Sequence, residues 1–182
     1  MKRIILIGYM GAGKTTLGKM LAREMALDFI DLDCYIENRY RKTVSALFQE
    51  RGEEGFRLLE QRMLHEVAEF EDVLISSGGG TPCFFDNMQY MKQQAVTVYL
   101  KASPDVLAAH LRMGKQQRPL IAQKNDDELM AYIRESLEQR EPYYSQADLV
   151  FDIARLDNSE AIKASVERLL EELKQVARDM GN

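Results

Sequence analysis

Cysteine is scarce in this chain of 182 residues: there are two, Cys34 and Cys83, and neither has a histidine or another cysteine beside it at ligand spacing. A disulfide framework and a cysteine-built metal centre are therefore both excluded, and the usage is that of a reducing compartment, so a cytoplasmic protein is expected. Proline is also rare, at 4 residues, and no internal repeat, low-complexity tract or Pro/Gly/Ser linker marks a boundary. One domain over residues 1–182 follows, long enough to bury a real core. No window approaches the roughly 18 apolar residues of a spanning helix. The opening "MKRIILIGYM" has a basic start before apolar residues, but it runs into glycines and Lys14 with no small-residue cleavage pattern, so it reads as a buried first strand and not a signal peptide. Positive charge is in deficit, with 24 Lys and Arg against 29 Asp and Glu for a formal net charge of −5. That balance argues against a nucleic-acid or anionic-membrane partner while leaving cations for a local anion pocket.

What is present is an alternation. Apolar runs at Ile4 to Ile7, Asp28 to Ile30, Val73 to Ser76, Ala95 to Leu100 and Leu149 to Ile153 are separated by segments of helical period. Each strand must return through a crossover helix, which predicts an α/β protein: a three-layer α/β/α sandwich around a five-stranded parallel sheet, with ligands at the carboxyl ends of the strands. The polar, basic stretch "MGKQQRPLIAQKND", about residues 113–126, reads as a lid or binding loop. From Asn158 to about Met180, Ile162, Val166, Leu169, Leu170 and Leu173 recur at helical spacing, the pattern of a packing helix with no catalytic part. No extended apolar surface stripe calls for an obligate partner, so a monomer is expected.

The strongest local signal is "GYMGAGKTT". Gly8, Gly13, Lys14 and Thr15 satisfy G-x-x-x-x-G-K-[ST], between an apolar strand and a helix that carries Leu17, Leu21 and Met25 on one face. Glycines let backbone N–H groups turn inward around phosphates at a helix N-terminus. The ATP-binding set is thus Gly11, Ala12, Gly13, Lys14, Thr15 and Thr16, with Lys14 neutralising the β/γ oxygens and the Thr15 hydroxyl a ligand for Mg²⁺.

The fate of the γ-phosphate is read from the remaining motifs. No N-K-x-D and no D-x-x-G occurs, which disfavours a GTPase switch, and the acids stand in "FIDLD" and not after a long apolar strand as in a motor ATPase. If the chain stays extended there, Asp31 and Asp33 leave the same face of the sheet edge, so that one can hold a Mg²⁺ water while the other faces an acceptor; a plain helix N-cap is the structural alternative. In "GEEGFRLLE", Glu60 lies three residues after Arg57 on a helix and can orient its guanidinium, unless the two form an ordinary solvated pair. "SSGGG", Ser76 to Gly80, attaches three glycines directly to a buried strand and lets backbone approach a ligand closely. Arg140 follows Leu129, Ile133 and Leu137 on one helical face, so its charge is aimed inward and needs an anion. Arginines for a carboxylate, an aspartate for hydroxyls and a glycine wall together suit a small carboxylated polyol. His65 and His110 lie inside helical segments without evident partners, Cys34 reads as a small packed side chain, and the methionines as core filler.

In order and spacing, "GYMGAGKTT", "DLD", "GEEGFRLLE", "SSGGG", "RPL" and "REPYY" resemble the shikimate kinase family from Lys2 to about Leu170. The resemblance implies a P-loop fold of the nucleoside-monophosphate-kinase type, with an acceptor-binding region at about residues 32–62, and ATP-dependent phosphorylation of the 3-hydroxyl of shikimate on the route to chorismate and the aromatic amino acids. It implies Asp33 as the group that binds the hydroxyls and takes the proton, and Asp31 as a ligand of Mg²⁺ through water beside Thr15. It further implies Arg57 and Arg140 as the carboxylate clamp, Gly78, Gly79 and Gly80 as the pocket wall, and Lys14 and Arg118, the latter in the lid, as the phosphoryl-stabilising cations. Arg112 and Arg155 are implied at the adenine. Two stretches depart from the family's usual pattern, "DIARLDNSEA" and "TPCFFDN". The rival readings are a kinase for another small acceptor, such as gluconate or a nucleoside monophosphate, and a nucleotide-binding module without turnover.

Overall fold

A computed structural model describes residues 2–113 and 124–180. In chain order the elements are β1 (Arg3–Ile7), α1 (Lys14–Met25), β2 (Asp28–Asp31), α2 (Leu32–Tyr40), α3 (Val44–Ala68) and β3 (Val73–Ser76). A short 3-10 turn (Thr81–Cys83) leads to α4 (Asn87–Gln94), β4 (Val96–Ala102), α5 (Pro104–Met113), α6 (Asp126–Tyr144), β5 (Leu149–Ile153) and α7 (Ser159–Met180). All five strands are parallel, in the order β2-β3-β1-β4-β5. The expected strands are all present; the fourth begins one residue late because the Ala95 N–H is still bonded to the Met91 carbonyl at the end of α4.

Pairing of hydrophobic strands with amphipathic helices explains the layers. β1 and β3 are nearly or wholly buried along their length, as central parallel strands must be when helices cover both faces. The chain runs from β1 outward to β2 in one direction and from β3 to β4 in the other. With right-handed crossovers that reversal sends α1 and α4 to opposite faces. α1 turns Leu17, Gly18, Leu21 and Ala22 into the core, and a side chain at Gly18 would meet the Phe29 ring at 2.6 Å, so helix and sheet approach as closely as glycine permits. α7 supplies Val166, Leu169 and Leu173 and packs against α1 and β5, as its sequence pattern predicts.

Two features position the functional residues. Parallel register sets Asp31 of β2 beside Ser76 of β3, and Ser76 beside Leu6 of β1, so three strand ends lie level at the carboxyl edge. That edge, where connections leave β1 and β3 in opposite senses, is where open α/β sheets bind ligands. The second feature is Gly52, with φ of 68° inside α3, which breaks the helix into a first part bearing Phe48 and a second bearing Phe56, Arg57 and Glu60. α6 starts on a capping box, in which Asn125 and Glu128 bond each other's backbone N–H at 2.8 and 2.9 Å. Residues 114–123, most of the expected lid and Arg118 with it, lie outside the described residues. Among the described residues no helix is long and apolar enough to cross a membrane.

Candidate active site

The loop between β1 and α1 takes the conformation that its glycines allow. Gly8, Gly11 and Gly13 have φ of 141°, 84° and 88°, and a Cβ at Gly8 would stand 2.8 Å from the Leu100 carbonyl oxygen. Gly13 is the left-handed N-cap of α1, no side chain caps it, and no acid occupies the first turn. The helix therefore begins with N–H groups suited to an anion. Lys14 Nζ donates to the Gly8 and Tyr9 carbonyls at 2.8 and 3.0 Å, which folds the ammonium back over the loop. Ala12 is buried, while Thr15 and Thr16 are exposed.

The two aspartates are brought to this loop by the N-cap alternative and not by an extended chain. The chain does not stay extended after Asp31: α2 begins at once, Asp31 is its N-cap, and its Oδ1 accepts from Cys34 N at 3.3 Å. Asp31 Oδ2 accepts from the Thr15 hydroxyl at 2.8 Å, so the N-cap carboxylate also faces the phosphate loop. Asp33 stands in the first helical turn. Leu32 and Ile36 face the core, which leaves Cys34, between them on the helix, exposed; the expectation of a packed side chain there is wrong.

Asp33 is a carboxylate of clearly altered acidity in the cleft. Solvent reaches its side chain at the cleft mouth, yet the protein around it withholds most of the surrounding water. That desolvation, with the carboxylates of Glu60 and then Asp31, pushes its carboxyl up to about 6 against the pull of Lys14. A carboxylate poised there suits proton acceptance near neutral pH.

Opposite stands a cationic wall. Arg57 Nη1 donates to Glu60 Oε2 at 2.8 Å, and Glu60 is only 1% exposed, so this is a buried pair and not a solvated one. Thr81 Oγ1 donates to the other Glu60 oxygen at 2.6 Å, and Asn87 Nδ2 holds the Thr81 carbonyl at 2.9 Å. Rings enclose the guanidinium: Phe84 lies 4.1 Å from Arg57 Cζ, Phe48 at 5.3 Å and Phe56 at 5.5 Å. Arg57 Nε is buried without a hydrogen-bond partner among the described residues. Arg140 packs over Tyr9 at 5.1 Å and bonds the Tyr144 hydroxyl, which in turn donates to the Gly79 carbonyl.

The three glycines lie between these groups. A Cβ at Gly78 would meet Thr81 Oγ1, Glu60 Oε1 and Asp33 Oδ1 within 3.1 Å; at Gly79 it would face Arg140 Nη1 at 3.4 Å; at Gly80 it would stand 2.7 Å from Arg57 Nη2. The glycine run therefore lets two carboxylates, Asp33 and Glu60, and two guanidiniums share a wall. Cys83 joins it: burial pushes its thiol up to about 11 although Arg140 and Arg57 pull the other way, so it remains a neutral lining group. Arg112 and Arg155 are held in exposed ion pairs, with Asp126 at 3.0 Å and Asp157 at 3.2 Å.

Sequence reasoning missed Thr81, Phe84, Tyr9 and Tyr144 as site residues, although they stand inside the quoted stretches "TPCFFDN", "GYMGAGKTT" and "REPYY". It also missed that His110 has partners, at Gly11 and Leu156. Among the described residues no group of three His, Cys, Asp or Glu side chains could hold a metal. The Thr15 hydroxyl and Asp31 carboxylate are nevertheless hard oxygen donors of the kind that Mg²⁺ takes when phosphates complete its shell.

A family model described as shikimate kinase matches residues 10–174. A shikimate kinase of Phocaeicola vulgatus is 61% identical over 173 residues, covering 95% of this chain and 99% of that protein. The crystal structure of a shikimate kinase from Bacteroides thetaiotaomicron superposes with a TM-score of 0.92 at 57% identity, over 95% of this chain and 98% of that one. A shikimate kinase from Acinetobacter baumannii in complex with shikimate gives a TM-score of 0.82 at 28% identity, over 96% and 94%.

Proposed function

This chain belongs to the shikimate kinase family, and on that premise we propose that its cleft transfers the γ-phosphoryl group of ATP to the 3-hydroxyl of shikimate, within aromatic amino acid biosynthesis. The observation that carries the reading is the shared wall: Arg57, Arg140 and Asp33 meet across Gly78, Gly79 and Gly80, level with the loop that bears Lys14. Two guanidiniums suit one carboxylate, and a carboxylate across the wall suits a ring hydroxyl. We assign Gly11, Ala12, Gly13, Lys14, Thr15 and Thr16 to the triphosphate, with Arg112 and Arg155 toward the base and Arg118 over the phosphates. Thr15, and Asp31 through water, would hold Mg²⁺, which supplies charge neutralisation at the phosphates. One domain over residues 1–182, an acceptor region at about 32–62, a lid at about 113–126, a monomer and a cytoplasmic location complete the proposal.

In the transfer, the shikimate 3-oxygen attacks the γ-phosphorus in line with the departing ADP oxygen, and Asp33 takes the hydroxyl proton. Lys14 exchanges its two loop carbonyls for phosphate oxygens, and the clamp holds the ring so that little reorganisation remains at the moment of reaction. Purified protein given MgATP and shikimate is expected to yield ADP and shikimate 3-phosphate in equal amounts. Phosphorylation of gluconate instead, or nucleotide binding without product, would replace this reading by one of its rivals.

Two further outcomes follow from the geometry. Because the Asp33 carboxyl is raised to about 6, kcat/KM for shikimate should be low when it is protonated, climb as pH passes through about 6, and level above; a pH profile flat from 5 to 8 would dismiss Asp33 as the base. For Gly80→Ala, the added methyl would displace a guanidinium already held by Glu60 and three rings. A loss of charged hydrogen bonding of about 1.5–3 kcal/mol corresponds to a KM for shikimate higher by roughly ten- to a hundredfold, with the KM for ATP nearly unchanged in steady-state assays.

A further inference from the structure

The geometry points to His110, in α5, as a positioning residue that ties the phosphate loop to residues 154–157 and so sets the two ends of the nucleotide site in register. Its ring bridges two backbones far apart in the chain. Nδ1 lies 2.8 Å from the Gly11 carbonyl oxygen, and Nε2 lies 3.1 Å from the Leu156 N–H. A backbone N–H can only donate, so Nε2 must present its lone pair. Nδ1 then carries the single proton of the neutral ring and donates it to Gly11. Only this tautomer satisfies both neighbours.

The bridge is reinforced on each side. Leu111, next to His110, leaves no room at Gly11, where a Cβ would stand 3.0 Å from its Cγ, and the Leu156 side chain covers Gly13, where a Cβ would meet its Cδ1 at 2.6 Å. Gly11 and Gly13 both need positive φ, and both are covered by the elements that His110 joins. The phosphate loop is thereby held in its curved form by α5 and by the 154–157 stretch, and His110 supplies the polar link between them. This stretch also lies in "DIARLDNSEA", one of the two stretches that depart from the family pattern.

The inference rests on the proposal that this loop binds ATP. In His110→Ala, both hydrogen bonds are lost, and about a tenfold rise in the KM and Kd for MgATP is expected, with kcat at saturating ATP and the KM for shikimate within twofold of the parent. His110→Gln, which keeps one donor and one acceptor on a planar amide, should recover most of the ATP affinity. A residue that served packing alone would lower the melting temperature and kcat and move both KM values together. On the parent protein, ¹⁵N spectra of the imidazole should show a protonated Nδ1 and a bare Nε2 at neutral pH. The reverse tautomer, or unaltered ATP affinity in a folded His110→Ala, would overturn the inference. If instead the parent bound no MgATP, the functional reading would fall, while the ¹⁵N result would still decide the tautomer.

Discussion

Asp33→Asn should lower kcat by about 10²–10⁴, the usual contribution of a positioned general base, while MgATP binds as before. The amide is nearly isosteric and can still hydrogen-bond a ring hydroxyl, so shikimate KM should change little; what disappears is the proton acceptor. The stability outcome has a defined sign. A carboxyl raised from 3.8 to about 6 makes the folded state bind more protons than the unfolded chain between those values. Its contribution to stability therefore falls as pH rises through that window, because the ionised form is desolvated and also sits against Glu60 and Asp31. A neutral amide removes that repulsion, so above pH 7 the variant should melt no lower than the parent. Calorimetric titration with MgATP, single-turnover kinetics and a melting curve test the three parts separately. Turnover within fivefold of the parent in a folded variant would take the base role from Asp33.

Arg57→Ala should be the more damaging of the two clamp variants, for a reason unrelated to substrate. Removing the guanidinium leaves Glu60, with a side chain 2% exposed, as a buried negative charge that still accepts from Thr81 and stands near Asp33. Breaking a buried pair from one side costs about 3–5 kcal/mol, a large part of the stability of a domain of this size. Loss of a bidentate carboxylate partner should add a rise in shikimate KM of roughly a hundredfold or more. Arg140→Ala shares the KM effect and not the destabilisation, since Arg140 rests on Tyr9 and bonds a phenol and leaves no buried carboxylate behind. In Arg57→Ala/Glu60→Gln, the stability should return while the KM defect stays. Equal melting temperatures for the two single variants would contradict the buried-pair account, and an unchanged shikimate KM in Arg140→Ala would contradict the clamp.

How much of this was legible in the chain depended on range. The phosphate loop was, because its requirements are local: glycines at positive φ, an apolar strand before and a helix after lie within some twenty residues. Arg57 and Glu60 were legible as a helical neighbour pair, but their burial was not, since it depends on Thr81 and on rings from both sides of the Gly52 break. For Asp31 and Asp33 the sequence leaves two readings open, an extended chain and a helix N-cap, and the N-cap is the one that forms, with the carboxylate still facing the phosphate loop. Asp31 does both jobs, since one oxygen caps α2 and the other faces Thr15.

By itself the sequence determined the class of fold, the order of its strands and helices, and the family, since hydrophobic period and the G-x-x-x-x-G-K-T loop act over short stretches. Only the tertiary structure decided which side chains share a surface: Tyr144 with Gly79, Arg57 with Phe84, His110 with Gly11 and Leu156. The physical reason is register. Parallel pairing sets Leu6, Ser76 and Asp31 level at one edge, and the reversal of direction at β1 and β3 opens the cleft there. Distances across that cleft are set by how strands and crossovers stack, which no local run of residues encodes.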